Sequence, residues 1–205
     1  MTDVPDGPDT DESDDAEADT WPVSLTGVTE SVVTTRGPNG RWNAAALGLF
    51  AGDPVTATTW GSTRTRGNFH RQAEGYVQFV DDPVVFVDAA LSIVETETPV
   101  LDAAAAWTHV AVEPIDSGTD AGTEWETWAL EPVESTVERR TVPTIDRGFA
   151  AVVEATVAAS RLEVPDYDEG ALRDRLEYCA SVVERAGGPR ERAALERVRD
   201  HSAWE

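Results

Sequence analysis

The stretch GSTRTRGNFHR at residues 61–71 concentrates side chains that bind anions. It combines hydroxyl donors, planar guanidinium groups and one amide, namely Ser62, Thr63, Thr65, Arg64, Arg66, Arg71 and Asn68. Donors of these kinds match the oxygens of a phosphate group. If a helix begins after Ser62 or Thr63, its free backbone amides add to the same site. The stretch lacks the GxxxxGK[ST] pattern, so the sequence predicts a phosphate site of another kind.

A second interpretation of these arginines follows from the composition. The 205 residues include 39 acidic and 16 basic ones, giving a formal net charge of -23. The arginines of the stretch can therefore pair with nearby carboxylates at the surface, where such pairs are common and individually weak. Composition alone leaves both interpretations open.

The elements that must position this stretch are β-strands on either side of it. Between residues 21 and 142, short runs rich in Val, Thr, Trp and Phe alternate with turn signals, which predicts a barrel or a sandwich. The clearest element is a hairpin of strands 28–36 and 41–50, because Asn39 and Gly40 favour a tight turn between them. Later strands are predicted at 54–60, 76–80, 84–87, 107–115, 124–131 and 134–142. We expect Glu124 and Glu126 to lie on opposite faces of their strand.

After Pro143 the pattern becomes helical. Apolar residues recur at steps of three and four, at Phe149, Val152, Val153 and Val157. Asp166 with Glu169 predicts a capping box for the next helix, and the run 187–189, Gly-Gly-Pro, ends that helix and starts the last one. We therefore divide the chain into a disordered acidic tail (1–20), a β-barrel domain (21–142) and a helical appendage of that domain (143–205).

The composition also limits the classes of partner and compartment. All 16 basic residues are arginine, and the acidic excess argues against nucleic acid as a partner. No run approaches the length of a membrane helix, so we expect a soluble cytoplasmic protein that contacts no membrane. An acidic, lysine-free surface is typical of an extreme halophile, the alternative being an ordinary acidic protein. The single cysteine, Cys179, excludes an internal disulfide and is predicted to lie in the core, and the three histidines lack metal-ligand spacing.

Three segments in order carry a resemblance to a known family. TESVVTTRGPNGRWNAAALGLF is followed by GSTRTRGNFHRQAEGYVQFVDDPVVFVDAAL and then by RGFAAVVEATVAASRL. This order resembles archaeal and bacterial flavin-binding proteins with the FMN-binding split-barrel fold, distant relatives of flavin reductases and pyridoxamine phosphate oxidases. The resemblance covers residues 22–162. It implies a mainly β, six-stranded Greek-key barrel with C-terminal helices, forming a homodimer with FMN in a groove between the subunits.

The resemblance also implies roles for individual residues. A strand of small side chains would run beside the isoalloxazine ring, which needs a flat surface; it comprises Asn43, Ala44, Ala45 and Ala46. The flavin phosphate would be bound by Ser62, Thr63, Arg64, Thr65 and Asn68. For Arg66 and His70 two orientations are left open, because each side chain could point either to solvent or to the partner subunit. Trp42, Trp60 and Trp128 either stack on the ring or pack within the barrel and dimer, and packing is the commoner role.

The implied function is that of an FMN-dependent oxidoreductase similar to flavin reductases. Bound FMN would relay hydride from NADH or NADPH to an acceptor that the sequence does not identify. His109 is the one weak candidate for a proton donor, the alternative being a satisfied strand histidine. A non-catalytic FMN-binding electron carrier, sensor or flavin store is the alternative function.

Overall fold

The computed structural model describes residues 20–120 and 122–204. The predicted acidic tail, apart from Thr20, lies outside these residues. The described chain forms seven strands, namely β1 (Val28–Arg36), β2 (Trp42–Phe50), β3 (Val55–Trp60), β4 (Glu74–Val80), β5 (Val94–Thr96), β6 (Ala104–Asp120) and β7 (Thr123–Val137). It also forms five helices, namely α1 (Arg64–Gln72), α2 (Pro83–Leu91), α3 (Arg147–Ala159), α4 (Glu169–Ala186) and α5 (Pro189–Asp200). Within this part of the chain, no helix has the length and apolar character needed to cross a bilayer.

Six of the strands close into an antiparallel barrel. The order β1-β4-β6-β7-β3-β2 is closed by the pairing of β2 with β1, and β5 is added to the other edge of β2. The strands β1, β2 and β3 form a meander and β4 returns beside β1, which is the Greek-key arrangement. The predicted Greek-key barrel with C-terminal helices is confirmed, and so is its first hairpin.

The barrel is split between β2 and β3. These strands pair only at Leu49 with Ala57 and at Phe50 with Thr56. On the same edge of β2, β5 pairs with residues 42–44. The intervening residues 45–48 have no strand partner on that edge within the described chain. Every second residue of this short segment directs its backbone amide and carbonyl to that edge, where they are available to other groups.

Helix α1 closes one end of the barrel. Its Phe69 is 1% exposed, and the Phe69 ring centroid lies 5.1 Å from that of Trp128 on β7. A Cβ atom on Gly75 of β4 would approach Phe69 Cε1 to 3.1 Å, so glycine at this position makes room for the ring. The Trp128 indole also donates a 3.0 Å hydrogen bond from Nε1 to Thr59 Oγ1. These contacts fix α1 against the barrel interior.

The C-terminal helices form a second core. Apolar side chains of α3, α4 and α5 pack on one another and on Val87 of α2. Cys179 belongs to this core, 4% exposed, and burial raises the pKa of its thiol. The predicted core position of Cys179 is confirmed. The outer face of β1 and β2 contacts α2 through Val32, Ala44 and Phe86, so the helices rest against the barrel on this side.

Some predicted elements are wrong. Residues 84–87 belong to helix α2 and not to a strand, because Asp82 caps the helix, with its side chain accepting from Val84 N at 2.9 Å, and proline opens the first turn. The strands predicted at 124–131 and 134–142 form one strand, β7, which pairs with β6 through two register shifts. Helix α4 is capped by Asp168, two residues later than predicted.

The expectation for Glu124 and Glu126 is also wrong. Both carboxylates contact the same side chain, Arg66, so they lie on one face of β7. The physical reason is that side chains alternate along a strand with a period of two, which places residues two apart on the same face.

Candidate functional site

A cleft of about 470 Å³ opens at the end of the barrel where α1 begins. Its walls are the turn between β1 and β2, one residue of β2, one face of α1 with the two residues before it, and one residue of β5. The predicted residues that line it are Asn43, Ser62, Thr63, Arg64 and Asn68, and the other lining residues include Asn39, Arg71 and Glu95. Two segments that lie about 20 residues apart in the sequence thus meet in one cleft.

The backbone at the start of α1 offers donors to this cleft. Gly61 has φ +66°, a conformation that glycine adopts without strain, and it turns the chain from β3 toward the helix. Thr63 is the N-cap; its Oγ1 accepts from Arg66 N at 3.2 Å and its carbonyl oxygen from Gly67 N at 3.1 Å. The backbone amides of Arg64 and Thr65 lie in the first turn, before the first amide that bonds within the helix, so they have no partner in the helix. Together with the helix dipole they favour an anion at this end.

The Arg64 guanidinium lies at the mouth of the cleft, paired with a carboxylate. Its Nη1 is 2.7 Å from Glu95 Oε1, and the Arg64 side chain is 51% exposed. Glu95 also accepts from Asn39 Nδ2, at 3.2 and 3.3 Å, and lies 3.5 Å from Arg41 Nε. An external anion that binds Arg64 must therefore compete with the Glu95 carboxylate.

The buried face of α1 carries one polar atom that needs a partner. Asn68 is satisfied, since its Nδ2 donates to Thr35 Oγ1 at 2.8 Å and its Oδ1 accepts from Arg71. Thr65 is 4% exposed, and its hydroxyl has no hydrogen-bond partner in the described part of the chain. Leaving a buried hydroxyl unpaired costs about 1–3 kcal/mol. Thr65 is not among the residues that line the cleft.

Arg66 and His70 contact β7 and are not among the residues that line the cleft. Arg66 Nε lies 2.9 Å from Glu126 Oε2, and Arg66 Nη1 lies 3.1 Å from Glu124 Oε2 and donates to Gly61 O at 3.3 Å. The hydrogen bonds to Glu126 and, next, to Glu124 raise the pKa of Arg66. His70 Nε2 is 2.8 Å from the same Glu126 oxygen. The Glu126 side chain is 9% exposed. These contacts tie α1 to the barrel from the side opposite Arg64.

The strand predicted to support a flat ring is divided between two environments. Asn43 lines the cleft, whereas Ala44 is buried on the outer face against α2. Pairing with β5 occupies the β2 edge at residues 42–44. Ala45 and Ala46 are half-buried and begin the unpaired segment of that edge.

His109 and the tryptophans lie mainly in packed surroundings. The His109 ring stacks on Tyr76 with centroids 4.6 Å apart, and its Nε2 lies 3.1 Å from Glu74 Oε2. His109 does not line the cleft. Trp42 makes an edge contact with Tyr76, and Trp128 fills the barrel. Trp60 differs, because its side chain is 51% exposed.

Sequence reasoning missed Glu95. It lies 31 positions after Arg64, on a three-residue strand that the pattern did not reveal. The alternation VETET at residues 94–98 is the only signal in the sequence that could have indicated this strand.

Two family models match the chain. The model described as "Protein of unknown function (DUF447) N-terminal domain" matches residues 29–139, and the model described as "Protein of unknown function (DUF447)" matches residues 146–200. The first range contains the barrel and the second contains α3, α4 and α5. No curated protein matches the sequence.

Three solved structures are similar to this chain to different extents. An FMN-bound protein from Methanosarcina mazei, described with the same family model, has a TM-score of 0.74 at 22% identity, over 86% of this chain and 96% of that chain. A styrene monooxygenase flavin reductase from Pseudomonas putida S12 has a TM-score of 0.40 at 13% identity, over 56% and 81%. An FMN-binding protein from Thermus thermophilus has a TM-score of 0.40 at 15% identity, over 67% and 82%. The first of these similarities extends over the barrel and the helices and establishes the fold.

Proposed function

The chain belongs to the DUF447 family, and we propose that it binds FMN, with the flavin phosphate held in the cleft where α1 begins. The observation that carries this proposal is the meeting of a helix N-terminus and an exposed arginine at one cleft. The next residue of the helix, Thr65, carries a buried, unpaired hydroxyl, although it does not line the cleft. These groups belong to residues 63–65. The FMN-bound relative from Methanosarcina mazei, which shares the fold, supports the choice of ligand.

The residues present fit a phosphate monoester. Ser62 and Thr63 supply hydroxyl groups, Arg64 supplies a guanidinium, and the first amides of α1 supply N–H donors. Thr65 does not line the cleft, so its buried hydroxyl would gain a partner only if FMN binding opens the start of α1. Asn68 acts mainly by fixing the helix to Thr35.

The flavin ring would lie along the open edge of β2. Ala45 and Ala46 have small side chains, and one of these two neighbours directs its unpaired backbone amide and carbonyl to this edge. A flat ring could therefore approach closely and form hydrogen bonds there. Asn43 and Ala44 would act through position, since β5 occupies their edge. Bound FMN supplies hydride and electron transfer, while the protein orients the ring and limits side reactions.

We further propose that the protein is an oxidoreductase that takes electrons from NADH or NADPH. A non-catalytic electron carrier, sensor or flavin store is the second candidate function. The position of His109 favours this second candidate, because its contacts with Tyr76 and Glu74 account for its burial without a substrate. His109 stays a candidate proton donor only if a substrate reaches the Tyr76 face.

A visible spectrum tests the binding and the turnover separately. Protein purified in multimolar KCl should show oxidised flavin, or take up added FMN, and should bleach when NADH or NADPH is added without oxygen. Flavin that stays oxidised with both donors would favour the carrier or store. A colourless protein that takes up no FMN would contradict the site.

We also propose a halophilic cytoplasm and a homodimer whose groove is completed by the second subunit. The support for the first is the net charge of -23 without lysine. Lowering the salt concentration should then separate the subunits and release FMN together, because assembly and binding are linked. Sedimentation and flavin fluorescence measure the two events, and a monomer that keeps its flavin would contradict the shared groove. The division into tail, barrel domain and helical appendage is likewise a proposal, which limited proteolysis tests.

A further inference from the structure

A second cavity lies beside the cleft, between the end of β3, the tip of the β6–β7 hairpin and the loop that joins α3 to α4. Its volume is about 570 Å³, and its walls include Trp60, Asp120, Thr123, Arg161, Asp166 and Tyr167. Trp60 precedes Ser62 of the cleft by two residues, so their Cα atoms are at most about 7 Å apart. The cavity and the cleft are therefore neighbours across one short turn.

Two large rings of this cavity are left exposed to solvent. The side chains of Trp60 and Tyr167 are 51% and 48% exposed. The Arg161 guanidinium carbon lies 5.3 Å from the centroid of the Tyr167 ring, which holds a cation over one wall. Single exposed aromatic residues are ordinary, but two of them at one cavity provide surfaces on which a planar ring stacks.

The polar groups of the cavity differ from those of the cleft. Asp120 and Asp166 supply carboxylates, which accept hydrogen bonds from hydroxyl groups and repel phosphate. Arg161 is the one cation among the lining residues. A planar ring attached to a sugar with free hydroxyl groups matches this combination, and a second FMN phosphate does not.

We propose that this cavity binds the adenosine end of a nicotinamide dinucleotide. This inference rests on the proposed function, because the dinucleotide is the electron donor to FMN in the neighbouring groove. The adenine ring stacks on Trp60, and the carboxylates accept from the ribose hydroxyl groups. A carboxylate near the ribose disfavours a 2′-phosphate, so the cavity selects NADH over NADPH.

Binding of ADP-ribose, which lacks the nicotinamide, tests the cavity without turnover. Calorimetry on the full chain in multimolar KCl should detect binding by the wild type, at least tenfold weaker binding by Trp60→Ala, and unchanged binding by Tyr178→Ala. Tyr178 is a matched control because it is 66% exposed on α4 and does not line the cavity. Absence of ADP-ribose binding, or equal binding by the wild type and Trp60→Ala, would overturn the proposal.

The 2′-phosphate provides a second measurement. ADP-ribose carrying a 2′-phosphate should bind the wild type at least tenfold more weakly than ADP-ribose, and Asp166→Asn should reduce this difference. Equal affinities for the two ligands in the wild type would overturn the role of the carboxylates.

Kinetics with a truncated donor separate the cavity from the flavin site. Trp60→Ala should raise KM for NADH about tenfold and leave the rate with reduced nicotinamide mononucleotide unchanged. Loss of both activities would place Trp60 at the flavin ring and overturn the proposal. A protein that binds ADP-ribose but no FMN would contradict the proposed function while leaving the cavity assignment in place.

Discussion

Two of the three arginines of helix α1, Arg64 and Arg66, each contact a glutamate of a neighbouring strand. Arg64 is 51% exposed and its partner Glu95 27% exposed, whereas Arg66 and Glu126 are 21% and 9% exposed. Arg64 makes one contact, at 2.7 Å, while Arg66 bonds two carboxylates and a backbone carbonyl. An exposed arginine that bonds one carboxylate can exchange that partner at low cost, whereas an arginine shielded among several acceptors cannot. Burial, and not residue type, therefore separates an arginine that is available to a ligand from one that holds the helix in place.

We expect the largest effect, a loss of stability, from a change at Glu126, the buried partner of Arg66. Glu126→Ala removes the acceptor that Arg66 and His70 share, so it should lower the free energy of unfolding by about 2–4 kcal/mol. Glu124→Ala is the control, because this carboxylate bonds the same arginine but is 65% exposed, and its loss should cost under about 0.5 kcal/mol. Denaturant titration measures both variants. If Glu126→Ala and Glu124→Ala lowered the free energy of unfolding by similar amounts, burial would not distinguish the two carboxylates.

Removal of the exposed arginine, Arg64, should affect the binding of FMN. Arg64→Ala should weaken FMN binding by about 1.5–3 kcal/mol, the scale of a charged hydrogen bond, and leave the stability of the FMN-free protein unchanged. Fluorescence titration of FMN, with Arg173→Ala as a control at a surface pair within α4, measures this. Unchanged FMN affinity would reassign Arg64 to the surface.

Thr65 lies between these two arginines, and we expect removal of its hydroxyl to weaken FMN binding without destabilising the FMN-free protein. Thr65→Val keeps the shape and removes the unpaired hydroxyl, so FMN affinity should fall by about 0.5–1.5 kcal/mol while the FMN-free protein loses no stability. The measurement pairs an FMN titration with thermal unfolding. A loss of stability without a loss of affinity would mean that the hydroxyl serves the fold.

The smallest effect concerns the competing carboxylate. Glu95→Gln frees Arg64, so FMN should bind more tightly by up to about 1 kcal/mol. Glu97→Gln is the control, since Glu97 also pairs with Arg41 but does not line the cleft. Equal affinities of the two variants for FMN would show that Glu95 does not compete.

Much of the fold could be predicted from patterns among neighbouring residues. The turn at Asn39 and Gly40 predicted the first hairpin, and the hydroxyl residues at 62 and 63 predicted where α1 could begin. Both depend on backbone preferences of neighbouring residues, which a sequence displays directly. Helix α2 was missed because Val84, Val85 and Val87 resemble a strand, and the cap at Asp82 outweighs their preference.

The candidate site could be predicted only in part. The segment 62–68 was identified from its anion-binding side chains, and the segment 43–46 through the resemblance. The cleft brings together Asn43, Ser62, Thr63, Arg64 and Asn68. The burial of Thr65 and the choice of partner for each arginine depend on contacts across the barrel. Glu126 lies 60 positions from Arg66, so no local pattern could distinguish Arg66 from Arg64.

The pairing of β3 with β7 has a consequence for how the chain reaches its native state during synthesis. Thr58 and Thr127 face each other from positions 69 residues apart. At roughly 5–20 residues per second, the ribosome needs roughly 3–14 s to add the residues between them. Throughout that interval β3, with the uncharged sequence VTATTW, has an open edge that can join another nascent chain. The interval between making β3 and making β7 is thus a window in which dilution or a chaperone determines the yield of folded protein.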